Sequence, residues 1–215
     1  MGDEENRPPQ SEAPQQAESD AHPAYLPSVA DDSLWQGEIL TDLKQLKVDL
    51  AALKAGADPL KFLSVNHSFV VVLSRDCDLL SDFGVRAGGG SELDDVFFCE
   101  AFEQEEYHQQ LKRTLNMNSR EWRRVYENQD ERFEFLEAAP KHADLCGLGL
   151  PPLIVDFRVF FTVPTDEVYA RLKLGTRRRC RLNLLYCEHL LHRFSSFQSS
   201  VPLPKPHVYV RGATE

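Results

Sequence analysis

The stretch LIVDFRVFFTV, residues 153–163, constrains the fold more than any other part of the chain. In an extended chain Leu153, Val155, Phe157, Val159, Phe161 and Val163 point one way, and Ile154, Asp156, Arg158, Phe160 and Thr162 the other. A period of two over eleven residues predicts a long strand with a buried face, and a strand that long needs neighbours. The run FVVVL at 69–73 is apolar throughout, as in a strand buried on both sides. Further strands are expected at GEIL (37–40), VFFCEAF (96–102), ERFEFLEA (131–138) and the basic RRRCRLNLL (177–185).

Helical spacing lies between them. In TDLKQLKVDLAALKAG (41–56), Leu43, Leu46, Leu50 and Leu53 recur at 3-4-3 spacing, with Thr41 or Asp42 placed to cap the start and Gly56 to end it. This predicts a helix with its leucines toward the core; a partner-helix seam is the alternative, argued against by its length. Other helices are expected over QEEYHQQLKRTL (104–115), around Trp122, Val125 and Tyr126, between Thr165 and Gly175, and over YCEHLLHRFSSFQ (186–198). Strand and helix in this order give an α+β fold, a small antiparallel barrel or strongly curved sheet with helices packed outside.

Residues 1–32 hold eight acids and one arginine among Pro, Gln, Ala and Ser, which predicts a disordered acidic tail followed by a single domain over 33–215. The net charge is −10, so a surface that grips nucleic acid all over is excluded, whereas a local basic face is not. Such a face is expected between Arg158 and Arg193, where eight Lys or Arg stand against three acids. The longest apolar runs are five residues, far short of the roughly 20 of a membrane span. Five cysteines without a CxxC pair and a first segment with no signal-peptide pattern point to a reducing, cytoplasmic setting.

GEI at 37–39, VVVLS at 70–74 and the late strand with its short helix, 155–172, together resemble the MazF/PemK toxin family. The resemblance covers about a third of the chain and implies a small barrel and metal-independent RNA cleavage. Its catalytic pattern is incomplete here. The family's arginine before the second strand is replaced by Asn66-His67-Ser68, and the loop ahead of the late strand reads Leu150-Pro151-Pro152-Leu153, without a hydroxyl. His67 is the residue placed to act as acid or base in that scheme. SRDCDL at 74–79 also resembles a Ser-x-x-Cys-Asp-Leu motif of an uncharacterised bacterial group, which implies no activity.

Three groups of candidate residues follow. His67, Arg75 and Cys77 are the catalytic candidates, although Asp76 and Asp78 beside Cys77 disfavour a thiolate, and a small apolar role at the strand end is the plainer reading. Asp76 and Asp78, with Arg158, Arg177, Arg179 and Arg181, are the binding candidates; on an alternating strand the last three share a face, for an acidic protein partner, for RNA, or for internal pairing. No metal or cofactor is expected: Asp76-x-Asp78 lacks the calcium-loop pattern, and Cys187, His189 and His192 are poorly spaced for zinc. The glycine loop at 87–92 lacks the Lys-Ser/Thr of a phosphate loop. The expected function is a non-catalytic binding or regulatory module, with a divergent endoribonuclease as the alternative.

Overall fold

The run at 69–73 closes β3 (Phe62–Val72), the central strand of a seven-stranded sheet. The computed structural model describes residues 23–56 and 59–199. Along them follow β1 (Tyr25–Pro27), β2 (Glu38–Val48), α1 (Leu50–Lys54), β3, α2 (Asp76–Arg86), β4 (Asp95–Glu103), α3 (Gln104–Thr114), α4 (Ser119–Tyr126) and β5 (Phe133–Leu136). Then come β6 (Leu153–Pro164), α5 (Thr165–Leu174), β7 (Arg177–Leu182) and α6 (Leu184–Ser199). The strand order is β1-β7-β2-β3-β4-β6-β5, and every neighbouring pair is antiparallel. This is the α+β class, built on an open sheet whose edges nearly meet: Tyr25 O–H on β1 donates to the Glu137 carbonyl just past β5 at 2.5 Å.

Both faces of the sheet are packed. Val71, Leu73, Ile39, Cys99, Val155 and Phe157 form one core with Leu190 and Phe194 of α6. On the other face Val70, Val72, Leu40 and Phe98 meet Leu79 of α2 and Val168 of α5. Continuous apolar sequence in β3 is therefore explained by burial on two sides. A third cluster packs Tyr107, Leu111, Trp122 and Val125 of α3 and α4 on Phe133 and Ile154.

Four sequence expectations need correction. The predicted helix over 41–56 is mostly strand: β2 runs to Val48, and only Leu50–Lys54 is helical. Leu43 is buried, but Leu46, Leu50 and Leu53 are exposed, so no leucine face enters the core. Cross-strand pairing with β3 from Ile39↔Val71 to Val48↔Phe62 overrides the 3-4-3 spacing, which is a weak preference by itself. Secondly, residues 25–27 of the expected tail form β1 on β7, because Tyr25 contributes a large ring to the core. Residues 1–22 lie outside the described residues. Thirdly, β6 does not keep one buried face. Its register with β4 slips between Cys99↔Phe160 and Ala101↔Val155, so Val155 and Phe157 enter one core while Phe161 and Val163 serve the other. Fourthly, β7 slips against β2 where Ile39↔Cys180 is followed by Leu40↔Arg178, so Arg177, Arg179 and Arg181 do not line one face.

One glycine is required by its surroundings. Gly37, before β2, has φ +76°, and a Cβ there would lie 2.9 Å from Cys187 Sγ and 3.2 Å from Leu182 Cβ. Gly37→Ala is expected to destabilise by about 2–4 kcal/mol, the backbone penalty added to overpacking. Urea denaturation followed by circular dichroism checks this.

Candidate functional site

His67 lies in the middle of β3, buried to 2% exposure. Its ring stacks on Phe161 at 4.1 Å, its Nε2 is 3.3 Å from Gln45 Oε1, and its Nδ1 is 3.1 Å from Glu100 Oε1 without hydrogen-bond alignment. Cys77 is exposed on the first turn of α2, which corrects its reading as a packed apolar residue. Its Sγ is 3.4 Å from Asp78 Oδ1, and Arg75 Nε donates to Asp78 Oδ2 at 3.1 Å. Residues 68–72, an extended run of roughly 16 Å, separate His67 from this turn. The three catalytic candidates do not converge. Asp76 and Asp78 occupy the first turn, where the helix dipole favours acids, and Asp76 Oδ1 accepts from Gln36 N–H at 2.6 Å.

The basic segment is largely consumed by internal pairs. Arg178 is buried and forks onto Glu38 at 2.6 and 2.9 Å, while its remaining N–H groups reach the carbonyls of Asp32 and Ser33 at 2.7 Å each. Arg178 thus holds the backbone just ahead of β2. Arg179 is buried too, bidentate to Asp144 at 2.9 and 2.8 Å. Arg177 and Arg158 are exposed, and Arg181 lies 4.5 Å over the Trp35 ring. No continuous arginine surface results, because two side chains of the cluster neutralise buried carboxylates. Asp76 and Arg181 do share a pocket of about 310 Å³ with Trp35, Gln36, Cys187 and Glu188. Burial, with Asp76 and Glu188 adding to it, pushes the Cys187 thiol up to about 11, so it stays protonated there.

The sequence reading missed two features. One is a carboxylate on β5: Glu134, buried, lies 3.0 Å from His189 Nδ1 and accepts from Arg193 of α6. Burial raises its pKa, while Arg193 and His189 oppose that rise. The other is an arm. Beyond Leu43↔His67, β2 and β3 pair only with each other, since β7 reaches only Glu38–Thr41 and β4 only Phe69–Val72. A two-stranded ribbon with α1 at its tip therefore projects from the sheet. Gln45 Nε2 donates to the Thr162 carbonyl at 2.8 Å and ties its base to β6.

The arm is apolar and basic. Leu46, Val48, Leu50, Leu53, Leu60, Phe62 and Leu63 are between 37% and 63% exposed. The pairing Val48↔Phe62 puts these two side by side with Leu46 on one face, and Leu63 beside Lys47 on the other. Between residues 44 and 63, Lys44, Lys47, Lys54 and Lys61 stand against Asp49 and Asp58, a net +2 in a chain of net −10. The alternation in LKV at 46–48 was the available sign, masked by the helical spacing of the leucines.

No family model, curated protein or solved structure matches this chain. Among the described residues no helix is long and apolar enough to cross a membrane.

Proposed function

We propose that this chain is a non-catalytic binding module whose β2–β3 arm docks on an acidic protein surface bearing apolar residues. The observation that carries this reading is the exposure of seven large apolar side chains on one ribbon. Spread over both faces and the tip of the arm, they expose more apolar surface in one element than scattered single residues would, and exposed apolar surface concentrated in this way marks interaction sites. An isolated two-stranded ribbon is marginal in water, so keeping this surface exposed is a cost that binding offsets. The lysines around it select an acidic partner and speed encounter with it. The near contact of β1 and β5 supports a PemK-like barrel as the scaffold.

The endoribonuclease reading has less support. His67 is enclosed by Gln45, Glu100 and Phe161, and Arg178 and Arg179 of the basic cluster are paired inside the fold. RNA incubated with the protein in chelator is expected to stay intact. His67→Ala is expected to lower stability by about 2–3 kcal/mol as a buried ring is lost. Gel electrophoresis and thermal unfolding check the two outcomes. Metal-independent cleavage abolished in His67→Ala would overturn the non-catalytic reading.

The docking proposal is tested by hydrogen exchange in the presence of a synthetic amphipathic peptide with leucines on one face and glutamates on the other. Protection is expected at residues 44–54 and 60–65. Protection elsewhere, with the arm unchanged, would count against it.

A further inference from the structure

The two edge strands of the sheet approach without forming a ladder, and the seam between them holds a cavity of about 470 Å³. This lies in the usual range for small-molecule pockets, roughly 300–1,000 Å³. Tyr25, Tyr126, Leu136, Leu185 and Tyr186 make its walls mainly apolar and aromatic. It is separate from the arm and owes nothing to the docking proposal.

Its polar groups define what it can hold. Tyr25 O–H is spent on the Glu137 carbonyl, and Tyr126 Oη accepts from Gln104 Nε2 at 2.6 Å. The Asn128 side chain is bonded in both directions to the Phe135 backbone, at 2.6 and 3.1 Å, so these edge groups of β5 are already taken. Glu134 is balanced by Arg193, which leaves no uncompensated charge inside for an ionic ligand, and Glu137 at the lining opposes anions. Where Arg193 holds Glu134 as a carboxylate, the neutral His189 ring that donates Nδ1–H to it across 3.0 Å presents Nε2 as an acceptor. Nε2 has no partner among the described residues, and the His189 side chain is 52% exposed.

We propose that this seam binds an uncharged, flat, largely apolar small molecule that donates one hydrogen bond to His189 Nε2. The aromatic walls supply affinity by excluding water, and the imidazole supplies orientation.

The test uses 2-naphthol and 2-methoxynaphthalene, which share a ring system but differ in the donor. Binding to the full chain is followed by amide chemical shifts. 2-Naphthol is expected to shift resonances at residues 126–137 and 185–189 and to bind about five- to tenfold more tightly than the ether, the worth of one hydrogen bond. His189→Phe should remove that difference. His189→Gln can still donate to Glu134 and accept from the ligand, and it should retain part of the difference; it also serves if the Phe variant fails to fold. Equal affinities for the two probes, an undiminished preference in His189→Phe, shifts confined to the arm, or no binding at millimolar probe would each overturn the proposal.

Discussion

Asp144→Ala is expected to remove roughly 3–5 kcal/mol of unfolding free energy, the loss that follows when one member of a buried ion pair is deleted. Asp144 accepts both prongs of Arg179, and its two oxygens also accept the N–H groups of Cys146, Leu148 and Gly149 at 3.1, 3.0 and 2.8 Å. Removing the carboxylate leaves a buried guanidinium on β7 without its counter-charge, bonded to the Gly149 carbonyl at 2.8 Å, and three loop amides without that acceptor. The loop from 144 to the Ala139↔Leu150 bridge then loses its carboxylate tie to β7 and keeps the bond from Leu145 N–H to the Arg179 carbonyl at 2.7 Å. Asp144→Asn keeps one acceptor oxygen and should cost less. Chemical denaturation at neutral pH, with the slope on denaturant unchanged, measures both.

The same pair sets part of the acid response. Burial alone would raise the Asp144 carboxyl, but Arg179 and the loop amides outweigh it and hold the group below the usual carboxylate range. Asp82 behaves likewise: burial is outweighed by Arg86, by the Leu93 and Glu92 amides and by Ser91. A carboxyl depressed in the folded state contributes stability that is fully present above its unfolded value, about 3.9, and is lost as pH falls through the folded one. Glu134 is raised by burial and runs the other way: its contribution is present below the unfolded value and is lost as pH rises through the folded one. Stability should therefore fall as pH drops below about 4, and Asp144→Asn should shallow that decline.

The second large effect concerns binding rather than stability. Replacing Leu46, Leu53 and Phe62 together by serine should weaken binding of an acidic amphipathic peptide by at least about 100-fold, since apolar anchors dominate interface energy. The melting temperature should move little, because half-exposed side chains contribute little to the core. The split separates a docking surface from a core. A buried leucine of the same hairpin, Leu43→Ser, should do the opposite and destabilise by several kcal/mol. Differential scanning calorimetry and fluorescence anisotropy on the same preparations distinguish the two.

The central strand was legible because FVVVL has only one comfortable environment, a sheet covered on both faces. The last helix was legible for a similar reason: Cys187, Leu190 and Phe194 share the side that is buried. The arm was not, because Leu43, Leu46, Leu50 and Leu53 satisfy a helical period, while the pairing that overrides it involves residues 62–71, distant in sequence. The slips in β6 and β7 were invisible for a related reason: a bulge changes which face a residue takes without changing composition. The arginine run was visible as charge, but the buried partners of Arg178 and Arg179, Glu38 and Asp144, lie 140 and 35 positions away. Of the candidate residues, Asp76 and Arg181 share a pocket, and Arg75 and Cys77 both touch Asp78, while His67 lies apart from them.

The claim that the arm is a docking surface for an acidic partner is tested most directly by titrating the full chain into two labelled amphipathic peptides of about 20 residues, identical except that one carries glutamate and the other lysine opposite its leucines. The glutamate peptide should bind with a micromolar dissociation constant that weakens with salt and is lost in the Leu46/Leu53/Phe62 serine variant, and the lysine peptide should not bind. Equal binding of both peptides, or binding unchanged in the serine variant, would contradict it.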